Sequence, residues 1–371
     1  MLKQLARRGA FLLAALGATA IPLEAASACT SFVLHAQDGG TVYGRTMEFG
    51  LPLHSDLVVI PRHFALTATG PDGTPGTGLK WTTKYGVVGM DALGHTQWVV
   101  DGMNEAGLAG GLLYFPGYAG YDKVTPSEAH ESIASFDLLA YVLSNFATVA
   151  DVRAALPKLL VSNAPNAAFD GPPPVHMTLH DASGASLVVE YVRGHLTMFD
   201  NSIGVLTNAP NFQWHIANLG LYLNTSVYDP KPLTVGAITI SPPSTGDGAP
   251  GLPGNMSSPA RFVRAFLYSH SAPHLATSAE TVNQAFHILD NFDIAPGVIR
   301  TSADAKAGGG VNGIETTEWM TVADLKDRSY YFRTYDNPQE RVFDLTHANF
   351  GGNAITVITT EQPNRPINVT N

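Results

Sequence analysis

The single cysteine of this 371-residue chain, Cys29, stands in ASACTSFVLHAQDGGTVYGRTMEFG, directly after the small-residue signature Ala26-Ser27-Ala28. Cleavage after such a signature makes Cys29 the first residue of the mature protein. It then carries a thiol near pKa ~8.5 and an α-amine near ~7.7–8.0 side by side, and the amine can act as the thiol's own base. Cysteine is the most intrinsically nucleophilic ordinary side chain, and a neighbouring cation deepens its thiolate population, so Arg45 is the candidate activator. Two other readings stand beside this one. A lone cysteine is often an inert, buried, small hydrophobe, and a cysteine after a leader can be a lipid anchor. The anchor reading favours Leu three residues before the cysteine, where this chain has Ala26.

The elements that must position Cys29 begin after a targeting segment over residues 1–28. Lys3, Arg7 and Arg8 form its basic region, and residues 9–23 are largely apolar. That apolar run is short and is interrupted by Gly17 and Pro22, unlike a membrane-spanning helix, and no later stretch is long enough to span. The expectation is an exported protein, periplasmic or secreted, with residues 29–371 forming a single domain. The chain has 21 Lys plus Arg against 31 Asp plus Glu, a formal charge of −10. The leader's three basic residues and one acid leave the remainder more acidic still. That argues against nucleic acid and anionic membrane as partners. One cysteine allows no internal disulfide, so stability must come from burial and hydrogen bonding. There is no C-x-x-C and no H-E-x-x-H, and the 13 His are scattered, so no metal or cofactor is expected. Serine hydrolase chemistry is disfavoured, because G-x-S-x-G does not occur.

Strand-like segments at residues 30–35 and 41–45, joined at Asp38-Gly39-Gly40, make a hairpin that starts at the new N-terminus and brings Arg45 and Glu48 back beside Cys29. A further strand candidate covers residues 56–61. The stretch WVVDGMNEAGLAGGLLYF reads as strand, turn, strand about Asp101-Gly102, with small residues at 107–111 permitting another layer to pack closely. Residues 135–146 change to a helical period, and Thr148 caps a second helix running to residue 156. Residues 175–179 and 187–192 form another hairpin, extended by 196–199. Residues 241–255, rich in Pro, Gly and Ser, read as a loop. After it, Ser258 is the expected N-cap and Pro259 the first helical residue, so Arg261 falls in a first turn. A helix over 279–291 and strands over 317–323 and 329–334 complete the pattern. No internal repeat is present. Strands, helices, strands, helices and strands in that order predict an α+β fold: a four-layer αββα sandwich of two antiparallel sheets flanked by helices.

The chain resembles the choloylglycine hydrolase and penicillin V acylase family of N-terminal nucleophile hydrolases. The resemblance rests on CTSF at Cys29, YGRTME at Tyr43, WTTKYGVVGM at Trp81, DGMNEAGLAGG at Asp101, YFPGY at Tyr114, GVLTNAP at Gly204 and GLPGNMSSPARF at Gly251. These stretches run in the family's order across most of the mature chain. The resemblance implies Cys29 as nucleophile and Arg45 as the arginine beside the thiol. Glu48 stands where family members commonly carry Asp, a position that orients the α-amine; a longer carboxylate makes the same charge-assisted bond if the backbone recedes. Asn208 matches the asparagine whose amide donates to the oxyanion. Tyr114 matches the second oxyanion position, where a backbone N–H serves, and Arg261 matches a distal arginine. Leu51 and Pro52, on the loop after Glu48, are expected with Tyr114 to line the substrate cleft.

The implied activity is hydrolysis of a linear amide in a small N-acyl substrate through a thioester at Cys29. The implied substrate classes are conjugated bile salts, penicillin V and N-acyl homoserine lactones, and a homotetramer is among the implied assemblies. Bile-salt members usually carry Asn at the position of Tyr114 and penicillin V members Tyr, which favours a flat aromatic or aliphatic acyl group here. The rival of another class is a lipidated or secreted binding protein that keeps the fold without turnover.

Overall fold

The computed structural model describes residues 28–300 and 314–370 of the chain. The leader expected over residues 1–28 therefore lies, apart from Ala28, outside the described residues. The strands of the two large sheets are, in chain order, β1 (Cys29–His35), β2 (Thr41–Phe49), β3 (Leu57–Ile60), β4 (Val87–Met90), β5 (Asp101–Asn104), β6 (Ala109–Tyr114), β7 (Val175–His180), β8 (Ser186–Val192), β9 (His195–Asp200), β10 (Ile314–Asp324), β11 (Ser329–Thr334), β12 (Arg341–Asp344) and β13 (Thr356–Ile358). The helices used below are α1 (Leu138–Asn145), α2 (Val149–Ala155), α3 (Phe212–Leu219), α4 (Ser258–Ser271) and α5 (Ser278–Leu289). One sheet runs β1-β2-β10-β11-β12, with Ile299–Arg300 paired to the start of β10, and the other runs β9-β8-β7-β6-β5-β4-β3-β13.

The β1–β2 hairpin closes as its turn residues require: the Gly40 N–H donates to Asp38 Oδ1 at 2.9 Å, and the Ala36 N–H donates to the Gly40 carbonyl at 2.9 Å. Period-2 alternation then assigns the faces. Gly44 meets the Phe32 ring and Leu289, so the even residues of β2 face the helices. Odd residues face the other sheet, where the Tyr43 hydroxyl reaches Asp101 Oδ2 at 2.9 Å and the Phe49 ring meets Tyr114 edge-on. In β10 the pairing with β2 shifts between Thr317 and Trp319, a bulge at Glu318. An extra residue flips the faces. Thr317 thus shares the helix side with Glu48, while Trp319 and Thr321 point to the other sheet.

Between the sheets pack Tyr43, Met47, Val88, Met103, Leu113 and Val188, and the same core continues to Phe262 of α4 and Phe286 of α5. A second core lies under α1, where Leu138, Leu139, Val142 and Leu143 cover Val87, Leu108 and Leu112. Each such side chain contributes about 1.5–3 kcal/mol when fully buried. The result is the four-layer αββα arrangement, helices outside two antiparallel sheets. No helix among the described residues is long and apolar enough to cross a membrane.

Local expectations need three corrections. Asp101-Gly102 is not a turn: both residues lie in β5, and the chain reverses at Asn104, whose Oδ1 accepts the N–H groups of Ala106 and Leu108, both at 3.0 Å. Asp101 is instead consumed by buried side-chain partners. The N-cap of α4 is Ser257, which accepts from the Ala260 N–H at 3.4 Å, while the Ser258 hydroxyl pairs with Thr207 at 2.9 Å. The helix expected over 279–291 is α5, started by a Thr277–Glu280 capping box. Residues 241–255 are a loop, preceded by an unanticipated hairpin of Leu233–Val235 and Ile238–Ile240 whose strand residues are all exposed.

Candidate active site

Cys29 opens β1 and is 1% exposed. Two-way bonding between Ser31 and Leu206, at 2.8 and 3.1 Å, lays the segment containing Asn208 along β1. The Cys29 backbone N–H therefore donates to Asn208 Oδ1 at 2.6 Å. That oxygen also accepts Arg261 Nη2 at 2.8 Å, and Asn208 Nδ2 donates to the Tyr114 carbonyl at 3.0 Å, leaving one amide hydrogen of Nδ2 for another acceptor. The Asn208 carbonyl in turn meets His215 Nε2 of α3 at 2.9 Å. Arg261 reaches in from the first turn of α4: its Nη1 donates to the Cys29 carbonyl and, at 2.7 Å, to Thr30 Oγ1, and its Nε donates to the Met256 carbonyl at 3.0 Å.

Arg45 approaches Cys29 from the other side. Its Nη2 lies 3.7 Å from Cys29 Sγ and also donates to the Leu112 carbonyl, and its Nη1 donates to the Val100 carbonyl at 2.5 Å. The guanidinium also faces the Trp319 ring, 5.4 Å from its centroid. Burial disfavours the charge, but the electrostatic pull of Cys29, Tyr43 and Asp101 outweighs it and holds Arg45 above the ordinary arginine value. A permanent cation thus faces the thiol.

Glu48, fully buried on the helix side of β2, accepts from the Thr317 hydroxyl at 3.1 Å. Burial pushes its carboxyl up to about 8 against the opposing pull of Arg261 and hydroxyl donors. A second buried carboxyl, Glu315, is also pushed up to about 8 by burial, with Arg261 and the Ala28 backbone drawing it down. Two carboxyls therefore flank one guanidinium on the side of Cys29 that leads to Ala28.

An apolar cavity opens at Cys29, lined by Met47, Phe49, Trp98, Tyr114, Phe136 and Phe169 among others, with about 590 Å³ of unfilled space including its mouth. Tyr114 packs against Phe49 and Phe169, with centroids 5.7 and 6.2 Å apart. Leu51 and Pro52 do not line this cavity. They line a neighbouring, more open groove with Glu318, Asp336 and Glu361, which shares only Phe49 with the cavity. Leu53, further along the same loop, does line the cavity.

The description of the family that fits this arrangement is linear amide C–N hydrolases, choloylglycine hydrolase family, whose model matches residues 29–360. The chain belongs to that family. The match begins at Cys29. Among relatives, a bile salt hydrolase/transferase of Clostridium perfringens is 32% identical over 329 residues, 88% of this chain and 95% of that protein. A penicillin V acylase of Pectobacterium atrosepticum is 27% identical over 351 residues, 88% of this chain and 84% of that protein. Among solved structures, a mutant conjugated bile acid hydrolase from Clostridium perfringens superposes with a TM-score of 0.80 at 29% identity, covering 92% of this chain and 100% of its own. Penicillin V acylase from Agrobacterium tumefaciens gives 0.68 at 26%, covering 89% and 91%.

Two members of this constellation escaped the sequence reading. Asp101 opens DGMNEAGLAGG but was masked by its Asp-Gly turn chemistry; its alternation with buried Met103 is the signal that places it in a strand. Glu315 is two residues before Thr317, a strand spacing that puts both on one face, but which face they take depends on the bulge at Glu318.

Proposed function

We propose that this linear amide C–N hydrolase is exported and acts with Cys29 as its N-terminal nucleophile through a thioester intermediate. The carrying observation is Cys29 itself, whose Sγ faces Arg45 while its backbone nitrogen is held by Asn208. After removal of residue 28 that nitrogen is an amine. The thiolate attacks the substrate carbonyl, and a C–S bond forms. The oxyanion takes hydrogen bonds from the spare Asn208 amide hydrogen and a backbone N–H at Tyr114. The α-amine passes the thiol proton to the leaving nitrogen, and the C–N bond breaks. Water, deprotonated by the same amine, then cleaves the thioester to release the acyl acid and restore Cys29.

The substrate reading is an apolar acyl amide of the penicillin V type, ahead of conjugated bile salts, although many of the relatives are bile salt hydrolases. Tyr114 supports it: its ring, packed with Phe49 and Phe169, makes a flat aromatic wall beside the thiol. The test is kcat/KM for penicillin V, N-acyl homoserine lactones, glycocholate and taurocholate. Penicillin V or another acyl amide is expected to lead, and Tyr114→Asn to shift the ratio toward bile salts. A tenfold preference of the unmodified enzyme for bile salts, about 1.4 kcal/mol of transition-state preference, overturns the substrate reading and leaves the amidase reading standing. If no substrate turns over and the exported protein has the added mass of acyl chains at Cys29, the lipidated binding protein replaces the enzyme.

A homotetramer is the accompanying reading of assembly. The hairpin formed by Leu233–Val235 and Ile238–Ile240 exposes Leu233, Val235, Ile238 and Ile240, each more than half accessible. Clustered exposed apolar side chains mark interaction surfaces. Sedimentation of the purified protein checks it: a tetramer that becomes smaller when Ile238 and Ile240 are changed to Thr supports the reading, and a monomer in the parent protein removes it.

A further inference from the structure

Asp101 is a fully buried carboxyl at the start of β5 that is reached by donors from three other strands. Its Oδ2 accepts from the Tyr43 hydroxyl at 2.9 Å and faces Arg45 Nη1 at 3.4 Å, and its Oδ1 accepts from the Thr321 hydroxyl at 2.9 Å and the Tyr330 hydroxyl at 2.6 Å. Gly111 makes the convergence possible: a Cβ there would lie 2.5 Å from Arg45 Nη1, 2.7 Å from the Tyr43 oxygen and 2.8 Å from Asp101 Oδ2. Arg45 is thus a cation shared between Asp101 on one nitrogen and the sulfur of Cys29 on the other. Burial raises Asp101 above the ordinary carboxylate value against the pull of Arg45 and the three hydroxyls, and the four donors converging on its two oxygens are the geometry that suits the ionised form.

We propose that Asp101 is a positioning residue for amide hydrolysis that fixes the pose of Arg45 and offsets part of its charge, thereby setting how readily Cys29 ionises and how nucleophilic its thiolate is. The inference rests on the reading of Cys29 as the nucleophile. An unopposed guanidinium beside the thiol gives abundant thiolate of low basicity, and thiolate reactivity falls with basicity, with a Brønsted slope of about 0.4–0.5. A compensating carboxylate one guanidinium away keeps the thiolate more basic and therefore more reactive. The other charged and titratable groups around Cys29 are Arg261 from α4, Glu48 and Tyr43 from β2, and Glu315 from β10; Tyr330 from β11 reaches it only through Asp101. None of these others shares Arg45 Nη1.

Asp101→Asn tests it. Arg45 cannot accept a hydrogen bond but hydroxyls can reverse, so the new amide presents its oxygen to Arg45 and Tyr43 and its NH₂ to Thr321 and Tyr330. The pose survives and the charge is gone. Because Cys29 is the only cysteine, the pH dependence of iodoacetamide alkylation reads it alone. The expected result is an alkylation midpoint lower by about one pH unit, with a high-pH plateau rate lower by about threefold. A midpoint that is unmoved or raised overturns the proposal, as expected of a residue that only holds the fold together. In an Arg45→Met background the shift should vanish, and its persistence at full size overturns the route through Arg45. Should Asp101→Asn fail to fold, Tyr330→Phe removes one donor and leaves the carboxylate less offset. That variant should raise the midpoint, and a lowered one overturns the proposal. The alkylation assay needs no substrate, so it separates this inference from the amidase reading: turnover that survives complete alkylation of Cys29 defeats the latter.

Discussion

Asn208 joins several of the site's contacts through one amide, accepting from Cys29 and Arg261 and donating to the Tyr114 carbonyl. Asn208→Ala should therefore lower kcat by about 10²–10³, the cost of one lost oxyanion donor, with the extra penalty of a loosened Cys29 nitrogen. Steady-state kcat on the best substrate checks this, beside a melting curve showing that the variant folds. A drop below tenfold would mean that Asn208 only braces the chain. At this scale much of the site was legible, because Cys29, Arg45, Glu48, Asn208 and Arg261 sit in short stretches with recognisable residue order. Asp101 and Glu315 were not. Their importance comes from which face of a sheet they take, and neither an Asp-Gly pair nor a hidden bulge reveals that locally. Leu51 and Pro52 line the neighbouring groove while Leu53, the next residue, lines the cavity, a distinction that proximity in sequence to Glu48 does not make.

Two elements carry the site, and each can be probed by one substitution. α4 delivers Arg261, and its first turn is held by the Ser257 cap. Ser257→Ala should destabilise the protein by about 1 kcal/mol, within the ~0.5–2 range of lost caps, and lower kcat/KM in step as Arg261 loosens. Urea unfolding and kinetics on one preparation check both; an unchanged urea midpoint contradicts the cap. The close approach of β2 to β6 depends on Gly111. Gly111→Ala forces a methyl against Arg45, Tyr43 and Asp101. Overpacking of this kind costs about 1–3 kcal/mol, so its urea midpoint should fall and activity with it. Elements with strong local signals were readable, as with the Asp38-Gly39-Gly40 turn and the Thr148 cap of α2. β13 pairs with β3 across nearly the whole chain, and no local pattern specifies so distant a partner.

For the molecule as a whole, buried titratable groups set how stability follows pH. Burial raises Glu48 and Glu315 to about 8 and Glu318 to about 7, so each stabilises the fold in its neutral form and loses that contribution as pH rises through the folded value. Burial lowers His180 to about 3 and His215 to about 4, so each adds stability that is complete above the ordinary histidine value and is lost on acidification. Asp91 and Asp137, raised to about 6, oppose the histidines in the acid range. Above pH ~6.5 the buried glutamates act without that opposition, and stability should decline toward pH ~9. Differential scanning calorimetry from pH 5 to 9 checks the sign, and a Tm that climbs across the alkaline half contradicts it. Glu318 accepts the Leu53 N–H with both oxygens, at 3.1 and 3.0 Å, and has no place in the proposed chemistry. Glu318→Gln should flatten the decline between pH 6.5 and 8.

In the proposed mechanism Cys29, freed at the N-terminus, carries the acyl group. Intact-mass spectrometry of the exported protein, quenched in acid during turnover of its best substrate, tests this most directly. The expected product is a polypeptide beginning at Cys29, a fraction of it heavier by the acyl group, with the added mass mapped to Cys29 and discharged by hydroxylamine. Full turnover by a protein that still carries residues ahead of Cys29, with no acyl adduct on it, would rule that mechanism out.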